Sequence, residues 1–279
     1  MFRIRRVYDD VLRMDRRVIV HVQGILREQF PLISEKDIQQ IPHVLRNPLK
    51  HRFRPILFVA EDAHNVVHGF ALLLHAPTLN FVYLDFISAA KRGTGRGIGG
   101  ALYQRVREEA LSLNAVGIFF ECLPDDPAVC RVPDAIKQNA DRLRFYERYG
   151  ARPIVGTSYE TPIKANDLCP PYLVFDDLGR GSPLSRESAR LIVRAILERK
   201  YGAACPPGYI DTVVSSFKDN PVRLRPPRYV KTAPRAALPV GVPADRRIRL
   251  VVSEHHAIHH VHERGYVEAP ARIPAILKE

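Results

Sequence analysis

The stretch Thr94-Gly95-Arg96-Gly97-Ile98-Gly99-Gly100 decides the reading of this chain. It joins a strand-like segment ending near Ala89 to a helix-like segment running through Leu113. Glycines without Cβ atoms let the backbone approach an anion closely. The first turn of a helix also carries N–H groups with no internal acceptor. A phosphorylated ligand at the start of this helix is therefore the expectation.

Working outward, residues 2–7 form a strand candidate, and residues 10–30 carry Val11, Leu12, Val18, Ile19, Val22, Ile25 and Leu26 at helical spacing. A shorter helix follows from Ser34. Strand-like runs at 55–61, 66–75 and 79–89 are separated by Asp62, Asn65, Pro77 and Asn80, and such short connections imply antiparallel neighbours. Helix 97–113 sets Ile98, Ala101, Leu102, Val106, Ala110 and Leu113 on one stripe, with Gln104, Arg105, Arg107 and Glu108 mostly outside it. Strand 116–122 comes next. A strand, a helix and a strand in succession form a right-handed parallel crossover, so the sheet is mixed. Helix 134–149, stopped by Gly150, precedes closing strands at 152–159 and 172–176. Ser182 then caps a helix with Pro183 at its first position and its end at Gly202, and helical turns follow at 210–217.

The 279 residues are 46% hydrophobic, ample for a core. No run approaches the ~18 apolar residues of a membrane span, and no apolar segment backs the basic N-terminus. A cytoplasmic protein is expected. Cys122, Cys130, Cys169 and Cys205 lack C-x-x-C spacing and read as free thiols. The net charge of +12 favours anionic partners without choosing among them. Much of that charge lies in Arg223, Arg225, Arg228, Lys231, Arg235, Arg246 and Arg247, interleaved with prolines, which reads as a linker. No aromatic-rich basic face accompanies it, so nucleic acid is not the expected partner.

Gly95, Gly97 and Gly100 satisfy G-x-G-x-x-G, and Glu121 lies about 20 residues on, as in a dinucleotide fold. In such a fold the turn follows its strand immediately, whereas Ala90 through Thr94 intervene here, after antiparallel strands. No Gly-Lys-Ser/Thr follows either, which excludes a Walker loop.

With its surroundings, the glycine run resembles the acetyl-CoA signature of the GNAT superfamily of N-acetyltransferases, Gln/Arg-x-x-Gly-x-Gly/Ala. Arg92-Gly93-Thr94-Gly95-Arg96-Gly97 satisfies it literally. Thr94-Gly95-Arg96-Gly97-Ile98-Gly99 keeps the usual spacing from the strand end and is the preferred register, with Thr94 replacing the cation. Asn139-x-x-Arg142-x-x-Phe145-Tyr146-x-x-x-Gly150-Ala151 resembles the superfamily's second helix motif, with Arg142 for Ala and Ala151 for the aromatic.

The resemblance covers roughly residues 1–178 and implies an α/β (α+β) mixed-sheet GNAT acyl-CoA N-acyltransferase fold. It also implies acetyl-CoA as cofactor and an amine as acceptor, a small polyamine-like molecule or a protein lysine. An amine attacking a thioester must lose a proton. Glu121 is the candidate base, with Asp85 competing, and Tyr146 is the acid for the departing thiolate. Backbone groups of Ile87, Ser88 and Ala89 would meet the pantetheine arm and the thioester oxygen. Thr94, Gly95, Arg96, Gly97, Ile98, Gly99 and Gly100 would bind the diphosphate, with Lys91, Arg92 and Arg96 as cationic partners. Asn139, two helical turns before Tyr146, would help hold the cofactor. No metal and no nucleophilic cysteine enter this scheme. The competing reading is a catalytically degenerate acyl-CoA-binding regulatory module.

Residues 248–279, with Val251-Val252-Ser253-Glu254-His255-His256 and His259-His260, resemble the opening of histone-deacetylase-like and acetylpolyamine amidohydrolases. This implies a deacetylase-like domain as a fused partner. The expected organisation is an acetyltransferase domain at 1–178, a helical extension at 179–220, a basic proline-rich linker at 221–247 and the deacetylase-like start at 248–279. A homodimer is compatible with this plan.

Overall fold

A computed structural model describes residues 2–31, 33–48, 52–90, 97–163 and 168–231. Strands β1 (Arg3–Val7), β2 (Arg54–Glu61), β3 (Val67–Ala76) and β4 (Phe81–Ala89) form an antiparallel meander. Helices α1 (Arg13–Gln29) and α2 (Glu35–Arg46) lie between β1 and β2 in the chain. Helix α3 (Ile98–Ser112) then crosses over to β5 (Ile118–Cys122), which runs parallel to β4. After α4 (Pro133–Glu147), β6 (Arg152–Pro153) and β7 (Tyr172–Asp176) close a seven-stranded sheet of order β1-β2-β3-β4-β5-β7-β6. Helices α5 (Arg186–Lys200) and α6 (Tyr209–Ser216) follow. This is the mixed sheet expected from the sequence.

Both faces of the sheet are covered, so β2, β3 and the first half of β4 are almost wholly buried, while Asp85 to Ala89 of β4 are half-buried. Alternation along β2 sorts the layers. Ile56, Phe58 and Ala60 join a core with Leu102, Val106 and Tyr146 of α3 and α4, while Leu57 and Val59 pack with Val18, Val22 and Ile38 of α1 and α2. Helices α5 and α6 cover the other half of that second face. Ile192, Val193, Ile196 and Val213 share a core with Phe81, Tyr83, Phe119 and Phe175 of the sheet.

Several local expectations differ from the structure. Strand 152–159 shrinks to β6: Ile154 bridges to Leu224, and Gly156 turns the chain at φ +75°. Helix α5 is capped by Ser185, whose hydroxyl accepts from the Ser188 N–H, and not by Ser182. Leu184, buried before the cap, packs in the same core as Ala189 and fixes the start three residues later. Arg107 does not face outward. It is buried, donates to the Tyr149 carbonyl at 2.8 Å and lies 3.6 Å from buried Asp176, which also accepts from the Tyr103 hydroxyl at 2.7 Å. Nor are all four cysteines free, because Cys130 and Cys169 form a disulfide. The fold creates that pairing across 39 residues, where the β5–α4 loop meets the segment before β7 and the Arg131 N–H donates to Leu168. Cys122 and Cys205 remain thiols.

The stretch from Pro221 to Lys231 lies along the domain. Buried Glu147 accepts from the backbone N–H groups of Arg228, Tyr229 and Val230, and Arg225 pairs with buried Asp125 at 2.7 Å. The rest of the expected linker and the deacetylase-like start at 248–279, with its histidines, lie outside the described residues. Among the described residues, no helix is long and apolar enough to cross a membrane, and no cluster of His, Cys, Asp or Glu could hold a metal.

Candidate active site

Strands β4 and β5 pair at only two positions, Val82 with Ile118 and Tyr83 with Phe119. Beyond them each strand follows its other neighbour. β4 stays on β3 as far as Ala89 opposite Gly69, and β5 stays on β7 as far as Cys122 opposite Tyr172. The sheet is therefore parted between 84–89 and 120–122. The backbone groups of Ile87, Ser88 and Ala89 that point away from β3 have no strand partner among the described residues.

The start of α3 is held against this opening. Gly97 caps the helix at φ +74°, a left-handed conformation that glycine adopts without a Cβ penalty. Ala101 donates back to the Gly97 carbonyl, so Ile98, Gly99 and Gly100 supply the N–H groups of the first turn. A Cβ on Gly69 would come within 2.8 Å of the Ser88 carbonyl and 2.9 Å of the Ile98 side chain. Bare backbone at this position lets α3 close onto β3 and β4. Thr94, Gly95 and Arg96, with Lys91 and Arg92, lie outside the described residues.

One face of the opening is aromatic. The Tyr146 ring is buried against Phe120 at 4.4 Å and Tyr103 at 4.9 Å between centroids. No hydrogen bond within the described residues holds its hydroxyl. Burial, with a smaller contribution from Cys122, raises its pKa far above the ordinary phenol value. The phenol thus enters any reaction protonated. Neighbouring Cys122 is pushed up to about 12, mainly by burial, which keeps it a thiol and not a nucleophile. Asn139 is buried on α4 and donates to the Pro124 carbonyl at 2.8 Å, so its amide fixes the loop that leaves β5.

The other face is ionic. Glu121, between Phe120 and Cys122 on β5, points to the opposite side of the sheet. Its carboxylate accepts from the Tyr159 hydroxyl at 2.7 Å and the Tyr201 hydroxyl at 2.9 Å, and pairs with the Lys200 ammonium at 3.3 Å. The same ammonium lies 3.6 Å from Asp85 and donates to the Tyr83 hydroxyl at 3.1 Å.

A bulge explains the arrival of Asp85. Leu72 opposes Phe86 while Leu73 opposes Leu84, so Asp85 is the extra residue, and Asp85 and Phe86 face the same side. Burial raises the Asp85 pKa, with Lys200 and Arg199 opposing it. Asp85 lines a cleft of about 740 Å³ between α2 and α5, walled by Ile38, Ile41, Leu72 and Phe86 and edged by Arg199 and Lys200.

The structure thus brings Glu121 and Asp85 to one cation, with Tyr146 on the opposite side of the parted strands. Lys200, Tyr159 and Tyr201 were missed by sequence reasoning. For Lys200 a signal existed: it lies one turn beyond buried Ile196 and Leu197, in line with the apolar stripe of α5. A cation that continues an apolar stripe toward the sheet points to an acidic partner there.

Residues 21–151 match the family model described as Acetyltransferase (GNAT) family. No curated protein matches the sequence. Solved structures of similar fold include an aminoglycoside 6'-N-acetyltransferase complexed with coenzyme A, at 16% identity and TM-score 0.45 over 62% of this chain and 95% of that one. A spermidine N-acetyltransferase from Vibrio cholerae has 14% identity and TM-score 0.45 over 62% and 92%. A GNAT-family acetyltransferase from Staphylococcus aureus has 17% identity and TM-score 0.43 over 62% and 98%.

Proposed function

We propose that this chain, whose residues 21–151 match the GNAT acetyltransferase family model, uses acetyl-CoA as donor and transfers the acetyl group directly to a primary amine across the gap between β4 and β5. The observation that carries this reading is the opposition of Tyr146 on one face of the gap to Glu121 and Asp85 on the other. The thioester enters from the side of α3 and α4, its diphosphate over the N–H groups of Ile98, Gly99 and Gly100 and its carbonyl oxygen on the outward backbone of Ile87 to Ala89. Asn139 acts by holding the Pro124 loop beside the cofactor arm.

The acceptor ammonium enters from the 740 Å³ cleft lined by Asp85, and Asp85, with Glu121 behind it across the Lys200 ammonium, takes its proton. The freed nitrogen attacks the carbonyl, the C–S bond breaks, Tyr146 protonates the leaving thiolate, and the second proton lost by the nitrogen restores the phenol through water. The acceptor is a small polyamine-like amine or a protein lysine.

Isotope-labelled acetyl-CoA incubated with spermidine and with a lysine-containing peptide tests the reading. Labelled amide and free coenzyme A are expected with at least one of them. Thermal stabilisation by acetyl-CoA without product in either case overturns enzymatic transfer in favour of the acyl-CoA-binding module. That second reading draws on one observation, the presence of Lys200 on both candidate bases.

A further inference from the structure

Lys200 is the last residue of α5, and its side chain runs back beneath the sheet to the parted strands. Its ammonium lies 3.3 Å from Glu121, 3.6 Å from Asp85 and 3.1 Å from the Tyr83 hydroxyl, and the Tyr83 ring centroid lies 5.3 Å away. Two carboxylates and an aromatic ring make the environment that the acceptor of the transfer requires: a desolvated primary ammonium with a proton acceptor in contact. The side chains of Lys200 and Asp85 are 28% and 20% exposed, and both line the cleft. The cation is thus neither locked in a closed core nor free in solvent.

We propose that Lys200 is an internal acceptor: the chain acetylates its own Lys200 from bound acetyl-CoA, a modification that empties the acceptor position of its built-in cation. This rests on the acetyl transfer proposed above. The step uses no further reactant. The Lys200 ammonium gives one proton to the Asp85–Glu121 pair, its nitrogen forms a bond to the acetyl carbon, the carbon–sulfur bond breaks, the thiolate takes a proton from Tyr146, and the second proton leaving the nitrogen restores the phenol through water, so that a neutral amide and a thiol result.

Burial pulls the Lys200 pKa down, but the attraction of Glu121 and Asp85 is greater and holds the group above its ordinary value. Self-transfer is therefore slow and occurs once per chain. An acetylated Lys200 cannot form an ion pair with either carboxylate, so Asp85 on the cleft wall and Glu121 behind it are left without that cation. A cationic acceptor gains a site with two negative groups where before it met a resident positive one.

The experiment uses the whole chain with isotope-labelled acetyl-CoA and no added amine, followed by peptide mapping of the label. Label is expected on Lys200, accumulating at a first-order rate independent of protein concentration, slowed at least tenfold by Tyr146→Phe and absent from Lys200→Arg. Transfer to spermidine or to a lysine peptide with no label on Lys200 overturns this inference and leaves the proposed function standing. A Lys200 label whose rate scales with protein concentration, or is unaffected by Tyr146→Phe, marks chemical or intermolecular acetylation and also overturns it. No label anywhere, with no coenzyme A released in the presence of either amine, overturns both. The wild-type map is decisive even if Lys200→Arg fails to fold.

Discussion

The two faces of the sheet where β4 and β5 part are made of opposite chemistry, although a single residue step separates them. On the side of α3 and α4, Phe120, Cys122 and Tyr146 form a dry aromatic wall. On the side of α5, Glu121, Asp85, Lys200, Tyr159 and Tyr201 form an ionic cluster. Alternation along β5 does half of this sorting and the bulge at Asp85 does the rest. The difference matches two proton transfers of opposite direction. A phenol that must arrive protonated is best kept in apolar surroundings. A carboxylate that must arrive ionised needs donors and a cation, which the Tyr159 and Tyr201 hydroxyls and Lys200 supply.

The strongest way to break the contrast is to neutralise the ionic face. Glu121→Gln and Asp85→Asn are each expected to lower kcat by about 10²–10⁴-fold, the usual worth of a positioned base. Because both carboxylates share one cation, the double variant should be little worse than the poorer single one. Coenzyme A release, followed by thiol titration, measures all three. Losses that multiply would mean that the two act separately. The pH profile adds a sign. Burial raises Asp85, so the activity that depends on its ionised form falls away at a higher pH than an ordinary aspartate would dictate. That acid limb should disappear from the residual activity of Asp85→Asn.

Removing the hydroxyl from the aromatic face should cost less, since water can protonate a thiolate. Tyr146→Phe keeps the ring contacts with Phe120 and Tyr103 and is expected to reduce kcat about 10²-fold while leaving the dissociation constant of acetyl-CoA within a few-fold of wild type. Calorimetric titration with acetyl-CoA beside steady-state rates separates the two quantities. A tighter or weaker complex with unchanged kcat would make Tyr146 a packing residue.

Gly69→Ala tests the geometry of the same face. A Cβ 2.8 Å from the Ser88 carbonyl and 2.9 Å from the Ile98 methyl must push α3 away from β4, a strain of about 1–3 kcal/mol in unfolding by denaturant. Affinity for acetyl-CoA should fall with it, because the N–H groups of Ile98 to Gly100 move off the opening. Loss of stability with cofactor binding unaltered would detach the helix start from the cofactor site.

How far the sequence carried this picture differs between the two faces. Helical spacing and the glycine run placed α3, and the Asn139 to Gly150 pattern placed α4, because both signals are local. The ionic face was only half legible. Glu121 and Asp85 could be named from their strands, but their shared cation comes from residue 200, some eighty and more positions downstream, and Tyr159 from a loop after β6. Partners so remote in the chain are joined by tertiary packing, which periodicity does not encode. The same limit hid the Cys130–Cys169 bridge and the buried face of Arg107, whose partner Asp176 lies on β7. The β4 bulge was invisible as well, since an extra residue in one strand has no compositional mark.

The smallest effect should come from the start of α5, and it separates two accounts of why that helix is there. Ser185 accepts from the Ser188 N–H, satisfying one of the donors that a helix start leaves unpaired, while Ile192, Val193 and Ile196 fix the body of the helix in the core it shares with the sheet. Ser185→Ala should therefore cost about 1 kcal/mol of stability. The cap lies four turns from Lys200, at the far end of a helix held along its length, so the position of the ammonium between Glu121 and Asp85 should not change. Turnover and the rate of self-labelling at Lys200 are expected to stay within twofold of wild type below the melting transition. A cap variant that melts earlier yet works normally makes α5 a fixed wall of the ionic face. One that loses activity while still folded would make it a hinged element whose motion carries Lys200 in and out of the gap.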